Sequence, residues 1–388
     1  MCNFVVMLTL ESYHALCTEE VRRAIHENRD RDPLRIALDG RIPEARLVAT
    51  EVKYLQRART KLPSYAEAEC ILPPLAFEQS SSEQCAAHKP LTGERVLDLT
   101  CGLGVDTLFL SRKFKEVVSL ERNEVLCAVT QENLRRLGVK NVTLKNTSAE
   151  EYLASATETF DWIYADPDRR SAEGRKLVRL EDCSPNIVEL MPHLKRLAPR
   201  LCLKNSPLFD VDEALNRFPE SHVEVLSLGG ECKEVLIYVG EGISHRLTAT
   251  ALGLGSYSTT QPQTPPQPEV LRNEAYRWLI VPDVALQKAR LVRQALDSVA
   301  DVWSENGFGF AVERPEGVLG RVLEIERIEK FDPKGLKKSL KGKRVELLKR
   351  DFPLSVEELQ RRLGVRAGSE KRLAFTNSAN EFWTIHLK

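Results

Sequence analysis

Residues 96–107 read Val96-Leu97-Asp98-Leu99-Thr100-Cys101-Gly102-Leu103-Gly104-Val105-Asp106-Thr107. An apolar run ends on a carboxylate, two glycines follow, and a helical pattern then resumes. Glycine admits positive φ and lets a ligand approach the backbone closely. A strand, a tight turn and a helix in this order place Asp98 and the glycine turn at the carboxyl end of a strand. That is where ligands of open α/β sheets sit.

The pattern continues outward from this turn. Short apolar runs at 95–99, 116–120, 142–145, 162–165, 201–204, 223–228 and 235–239 read as strands, with helical stretches such as 105–112 and 125–137 between the earlier ones. Such alternation predicts a doubly wound, seven-stranded Rossmann-like α/β sheet. The last two strands, joined across Gly229-Gly230, suggest an antiparallel hairpin at a sheet edge. Before the sheet, residues 1–85 read as a helical region. Its stretch 41–61 carries Arg46, Lys53, Arg57, Arg59 and Lys61 on a basic side and stops before Pro63. A solvated face or an RNA-contacting face both fit that side.

The α/β domain is expected over 86–255. Residues 256–269, with Pro262, Pro265, Pro266 and Pro268, read as a linker or exposed loop. A β-α-β-β pattern at 278–281, 282–297, 308–312 and 322–328 suggests a small ferredoxin-like α+β module over 270–330. The last unit, 331–388, opens a helix at the Ser355–Glu358 capping box, ends it at Gly364 and closes with a hairpin of 372–376 and 382–387.

Composition narrows the class. The chain has 388 residues, 56 basic against 56 acidic, and 42% hydrophobic residues, which fits a soluble multi-domain protein. No apolar run approaches the ~20 residues of a membrane span, so no membrane partner is expected. Residues 1–10 lack the basic flank and cleavage site of a signal peptide. Nine cysteines without a C-x-x-C pair argue against a disulfide framework and against a metal, and for free thiols in a reducing cytoplasm.

The strand ends carry the chemistry. Glu121 closes the second strand, at a spacing from the turn that suits both hydroxyls of a ribose. A dinucleotide fingerprint wants a third glycine where Thr107 stands, and Asp98 would repel a pyrophosphate. Asp98 suits instead a cofactor with a cationic amino-acid end. The D-x-x-x-G-x-G turn with Glu121 resembles motifs I and II of class I S-adenosylmethionine-dependent methyltransferases. The resemblance implies S-adenosylmethionine as cofactor, held around Asp98, Thr100, Gly102, Gly104, Asp106, Thr107, Glu121 and Arg122. It also implies an adenine contact after the third strand at Ser148 and Ala149, where the family commonly has Asp in place of Ser148.

The fourth strand ends in Asp166-Pro167-Asp168-Arg169-Arg170. In methyltransferases acting on exocyclic or amide nitrogens this site reads Asp/Asn/Ser-Pro-Pro-aromatic. Here Asp166 and Pro167 are kept, while Asp168 and Arg169 replace the second proline and the aromatic. Asp166, Pro167 and Asp168 are the catalytic candidates, and Arg169 and Arg170 the substrate contacts. A plain salt-bridge turn fits the same residues. Lys204, after the fifth strand, reads either as a phosphate contact or as a surface lysine. The polar cluster Glu78-Gln79-Ser80-Ser81-Ser82-Glu83 reads as a helix cap leading into the domain, with Ser80 and Glu83 fitting a capping box, or, by the same resemblance, as a segment closing over the methionine end of the cofactor.

Taken whole, the chain resembles the bacterial class I methyltransferases with a C-terminal THUMP-like domain, which implies an RNA substrate, rRNA or tRNA. Residues 334–350 hold eight basic residues against Glu346, a net of +7, which suits a phosphate-binding surface. Lys337, Lys338, Lys341, Lys343 and Arg344 are its candidate contacts. Phe375, Phe382 and Trp383 read either as base-stacking residues or as core. The leading expectation is methyl transfer to an RNA nucleotide. The alternatives are a non-catalytic RNA-binding protein that kept the fold, and a methyltransferase acting on protein or a small molecule.

Overall fold

A computed structural model describes residues 8–168, 180–266 and 275–388. Arg169 and Arg170 lie outside the described residues. The chain divides into two compact units: Met1–Leu208 with Ile237–Ile243, and Phe209–Leu236 with Ser244–Lys388.

In the first unit, strands β1 (Gly93–Asp98), β2 (Phe114–Leu120), β3 (Val142–Lys145), β4 (Trp162–Ala165) and β5 (Arg200–Asn205) are all paired in parallel. The central strands are continuous apolar runs because both faces are covered: Val96, Leu97, Ile163 and Tyr164 are all buried. Helices Val105–Ser111 and Glu124–Arg136 connect the first three strands, and Asn123 caps the second of them through its side chain. The amino-terminal region is helical, as expected, and Ala45–Lys61 is its longest helix. Its apolar side joins residues of the two sheet-connecting helices in one core that includes Val48, Val52, Tyr65, Leu103, Leu108 and Val129. The basic side of Ala45–Lys61 is largely paired: Arg57 with Glu78, Arg59 with Asp30, and Lys61 with the Phe77 carbonyl.

Strands β6 (His222–Leu228), β7 (Glu231–Gly240), β8 (Arg246–Ala251) and β9 (Gly255–Thr259) complete a sheet ordered β3-β2-β1-β4-β5-β7-β6-β8-β9. This corrects two expectations. The sheet has nine strands rather than seven, and the β6–β7 hairpin is not at its edge. The missed strand β8, Arg-Leu-Thr-Ala-Thr-Ala, alternates small apolar residues with threonines, and all but its first residue are buried. Strand β9 occupies the start of the segment expected to be a linker.

The second unit holds an eight-stranded sheet. Its strands are β10 (Trp278–Pro282), β11 (Asp301–Val302), β12 (Gly309–Ala311), β13 (Gly320–Lys330), β14 (Arg344–Lys349), β15 (Arg366–Ala367), β16 (Lys371–Ser378) and β17 (Glu381–Leu387), in the order β11-β12-β10-β13-β17-β16-β14-β15. The single helix expected at 282–297 is two short ones, Val284–Lys288 and Val292–Leu296. Arg290 separates them in the left-handed region at φ 56°, where its side chain pairs with Asp210, Asp212 and Glu305. The capping box at Ser355, the helix end at Gly364 and the terminal hairpin form as expected. Strand β13 pairs with β10 on one side and with β17 on the other, so the expected division at 330/331 falls at the end of a shared strand.

Candidate active site

The glycine turn is clamped from several sides. Gly102 and Gly104 take left-handed conformations at φ 56° and 80°. A Cβ on Gly104 would lie 2.7 Å from Cγ2 of Thr130, whereas one on Gly102 would meet nothing within 4 Å. The turn is therefore packed behind Gly104 and open at Gly102. The Thr130 hydroxyl donates to the Gly102 carbonyl at 2.8 Å, and the fully buried Tyr65 donates its phenolic O–H to the Leu103 carbonyl at 3.1 Å. With those carbonyls held from behind, the turn keeps its backbone fixed without help from a ligand.

Asp98 lies beneath the turn and is fully buried. It accepts from the Thr100 amide at 3.0 Å, from Thr107 Oγ1 at 2.6 Å and from Ser119 Oγ at 2.8 Å. Ser119 can reach because it is the register partner of Asp98 on β2. Burial pushes the Asp98 carboxyl up to about 6, against the opposing effect of those three donors. Thr107, also fully buried, acts on Asp98 rather than lining an open surface.

Glu121 stands at the carboxyl end of β2. Its Oε2 accepts from the Gly102 amide at 2.9 Å and its Oε1 from the Asn123 amide at 2.8 Å. Burial raises its pKa, and the two amides pull the other way. An ionised carboxylate offers about four acceptor positions, so these two bonds leave capacity for hydroxyl donors. Ser148 caps helix Ala149–Ser155 in a reciprocal box with Glu151, and Ala149 is buried at its first position. The Ser148 hydroxyl is thus already an acceptor for the Glu151 amide, at 3.1 Å.

On the acceptor side, the Asp166 amide donates to the Thr100 hydroxyl at 2.7 Å, which ties the end of β4 to the end of β1. Asp168 forms a two-bond antiparallel bridge with Ser184, and Arg122 donates to the Ser184 hydroxyl at 2.8 Å. Lys204 is neither a surface lysine nor placed to meet a phosphate. It is buried, with Nζ 2.6 Å from Asp166 Oδ2 and 3.0 Å from Ser81 Oγ. Asp106 sits beneath it, bound to buried Lys89 at 2.8 Å and to Ser81 at 2.9 Å, with Lys204 Nζ 3.8 Å away. Burial acts to raise Asp106, but the two ammoniums outweigh it and hold its carboxyl well below the usual carboxylate range. Ser82, not Ser80, caps helix Glu83–His88, and Glu83 accepts instead from the Ser64 amide and hydroxyl, both at 2.8 Å.

The structure therefore brings Asp98, Thr100, Gly102, Gly104, Glu121, Asp166 and Lys204 to one edge of the parallel sheet. Sequence reasoning reached Ser81 only as part of the polar cluster 78–83 and missed Tyr65, Lys89, Ser119 and Thr130. Of these, Ser119 carried a usable signal, as a hydroxyl in the apolar end of β2.

A separate candidate surface lies in the second unit. Helix Pro333–Leu340 buries Leu336 and Leu340, which turns Lys334, Lys337 and Lys338 outward. These lysines, with Lys341 and Lys343, are exposed and form no ion pair among the described residues. Arg344 is exposed but pairs with Glu370 at 3.0 Å. Arg361 and Arg362, on the neighbouring helix Val356–Leu363, add exposed charge that the run 334–350 did not include. Phe375 is fully buried against Phe331 and Phe352, so of the three aromatics only Phe382 remains exposed.

The open glycine turn, the buried negative charge beneath it and a strand-end carboxylate with spare acceptor capacity suit a cationic nucleoside cofactor. With this strand order they define the fold of the class I S-adenosylmethionine-dependent methyltransferases. The carboxy-terminal part is a THUMP-like domain: residues 320–388 match the family described as "THUMP domain-like", and residues 79–180 match "Conserved hypothetical protein 95". A candidate methyltransferase of Porphyromonas gingivalis W83, known as a crystal structure, superimposes with a TM-score of 0.80 at 26% identity, covering 99% of each chain. An uncharacterized S-adenosylmethionine-dependent methyltransferase of Mycobacterium tuberculosis is 25% identical over 78% of this chain and 83% of its own. A 23S rRNA (uracil-C5)-methyltransferase of Edwardsiella ictaluri is 39% identical, but over 28% of this chain and 22% of its own length. The chain thus spans about a fifth of that relative. Among the described residues, no helix is long and apolar enough to cross a membrane.

Proposed function

We propose that this protein transfers a methyl group from S-adenosylmethionine to a nucleotide of RNA, rRNA or tRNA, in the cytoplasm. The observation that carries this is the strand-end edge itself, where three carboxylates surround a backbone turn that is open at Gly102. Bound S-adenosylmethionine would supply an electrophilic methyl on a sulfonium. Glu121 would accept the ribose hydroxyls, the Gly102–Gly104 backbone would lie against the amino-acid end, and the backbone at Ala149, beside Ser148, would border the adenine. The charge of Asp98 beneath the turn favours a cation above it. Asp166 and Pro167 would orient the acceptor, with Asp168 fixing the loop through Ser184 and Arg122. Rate enhancement would come mainly from proximity and alignment. The exposed lysines 334, 337, 338, 341 and 343, with Arg344, support RNA as the partner, because duplex and loop RNA alike present a dense phosphate array. The named rRNA methyltransferase relatives support the same substrate class.

The test has two arms. Calorimetry of the purified protein with S-adenosylmethionine should show saturable binding that Glu121→Ala abolishes. Mass spectrometry of RNA nucleosides from cells with and without the gene should then show one methylated nucleoside missing from the latter. Absence of cofactor binding to the wild-type protein would sink the proposal. Label transferred from the cofactor to protein rather than RNA would replace its substrate class.

A further inference from the structure

Helix Val105–Ser111 leads from the cofactor turn to an open cleft at the amino-terminal ends of β2 and β3, away from the strand-end carboxylates. Gly104 and Arg112 cap the two ends of this helix, about 12 Å apart at about 1.5 Å per residue. The cleft has a volume of about 380 Å³. Leu108, Leu137 and Val139 form its apolar wall, with Ser111, Arg112 and Lys140 beside them. Gly138 also borders it, and a Cβ there would meet nothing within 4 Å, so this side stands open. The charge around the cleft is of one sign. Arg112 and Lys140 are exposed, and the Arg112 guanidinium lies 4.4 Å from the centre of the Phe109 ring. Lys113, next in the chain, donates to the Ala87 carbonyl at 2.7 Å and to the Lys89 carbonyl. None of these three cations pairs with a carboxylate among the described residues. Glu94 and Glu116, acids at this end of β1 and β2, are taken by Lys115 and Arg95. The neutral side chains are committed as well. Ser111 Oγ donates to the Leu108 carbonyl at 2.7 Å, and Asn141 Nδ2 to the Ser111 and Phe114 carbonyls at 2.8 and 2.9 Å.

We propose that this cleft seats one unpaired nucleotide of the RNA substrate, with its phosphate on Arg112 and Lys140 and its base against Leu108, Leu137 and Val139. This rests on the RNA methyl transfer proposed above and adds a contact outside the cofactor edge. An apolar wall alone would take any apolar group. Beside cations that lack counter-ions, it takes a ligand with an apolar face at one end and an anion at the other. A nucleoside monophosphate unit has that form, and the volume suits it, since small-molecule sites run from about 300 Å³ upward. A base stacked inside a duplex cannot lay its face on a side wall, so the nucleotide is one free of pairing. With Ser111 and Asn141 donating to backbone carbonyls, the side-chain donors left to the ligand are the cations, and those hold phosphate whatever the base. The cleft therefore anchors the RNA without selecting its sequence. The lysines of helix Pro333–Leu340 belong to the other compact unit, so the methyltransferase unit has an RNA contact of its own.

Equilibrium binding of the full chain to a fluorescent single-stranded oligouridine, read across a range of salt, decides it and needs no methyl transfer. Arg112→Ala combined with Lys140→Ala should lower affinity and flatten the logarithmic salt dependence by about 1.4, at about 0.7 per lost phosphate contact. Affinity for S-adenosylmethionine should be unchanged in calorimetry. Ser111→Trp fills the cleft and keeps both cations, so the slope should hold while affinity falls roughly fivefold as the base loses its wall. If Ser111→Trp does not fold, Ser111→Met fills less of the space and gives the same sign. With 4-thiouridine in the probe, irradiation should cross-link RNA to peptides holding residues 105–112 or 137–141. An unchanged salt slope in the folded double variant overturns the proposal. So does wild-type affinity in a folded Ser111→Trp, which reduces the site to surface charge, and so does cross-linking confined to the carboxy-terminal unit. A leucine- and glutamate-containing peptide that binds the wild type, is lost in both variants and leaves RNA binding unaffected assigns the cleft to a protein and also overturns it. A wild-type protein that binds no RNA refutes the RNA reading of the whole chain, whereas RNA binding indifferent to the cleft refutes this proposal alone.

Discussion

Replacing Thr107 by Val isolates what holds a buried charge under the cofactor turn. Asp98 has its carboxyl pushed from an ordinary 3.8 to about 6 by burial. A carboxyl raised on folding favours the native state below the unfolded value, and that advantage is lost as pH rises through the folded value. Between about pH 4 and 6 the fold should therefore lose about 3 kcal/mol from this one group, at 1.36 kcal/mol per pH. Thr107 Oγ1, 2.6 Å from Asp98 Oδ2, is one of three donors that keep the loss from being larger. Val keeps much of the threonine shape but removes the donor. A hydrogen bond to an ionised group contributes about 1.5–3 kcal/mol and one to a neutral group about 0.5–1.5. Thr107→Val should thus cost about 2 kcal/mol at pH 7.5, where Asp98 is charged, and about 1 kcal/mol at pH 5, where it is mostly protonated. Hydrogen exchange with mass spectrometry on the peptide covering 93–120, corrected for intrinsic exchange rates, reads the opening free energy of β1 and β2 at both pH values. An equal cost at the two pH values, or a larger one at pH 5, would refute the reasoning.

Other substitutions test neighbouring parts of the molecule. Gly104→Ala adds left-handed strain and a contact 2.7 Å from Thr130 Cγ2, a loss of about 2–4 kcal/mol by thermal melting. Adding Thr130→Ser should recover the contact part and leave the strain. Tyr65→Phe removes one hydrogen bond, about 1 kcal/mol, and should weaken S-adenosylmethionine binding roughly fivefold in calorimetry because the turn loses a support. Unchanged affinity would show that the turn does not need that support. Reversing Lys337, Lys338 and Lys341 to Glu should lower RNA affinity and flatten its logarithmic salt dependence by roughly 2–3. An unaltered slope would move the RNA surface elsewhere.

The sequence made the site visible wherever function is written locally. A glycine turn and a strand-end carboxylate each declare themselves within a few residues. What stayed hidden depends on partners far along the chain. Lys204 looks like any lysine until folding sets it beside Ser81, 123 positions earlier, and beside Asp106 and Asp166. Tyr65 reads as core, and it is core, but its hydroxyl ends on the turn 38 residues later. Strand β8 was hidden for a different reason: its Leu-Thr-Ala-Thr-Ala alternation is short and rests on small, weakly apolar residues, and the fold buries its threonine side as well. The helix at 282–297 kept its apolar spacing, yet Arg290 breaks it for three acidic partners that no local pattern indicates.

Strand β13 has a consequence for how this chain can be divided. Its eleven residues pair with β10 over Gly320–Glu324 and with β17 over Ile325–Lys330, with a register shift where one partnership hands over to the other. The THUMP-like match begins at its first residue. A fragment starting at residue 331 would strip β17 of its neighbour and leave a bare edge, open to pairing with other chains. A fragment starting at 320 would instead leave the first half of β13 unpaired along the side that β10 covers. The seam between the two parts is thus a shared backbone ladder and not a linker. Any recombination that traded this carboxy-terminal piece among proteins would have had to carry β10 with it or rebuild its edge.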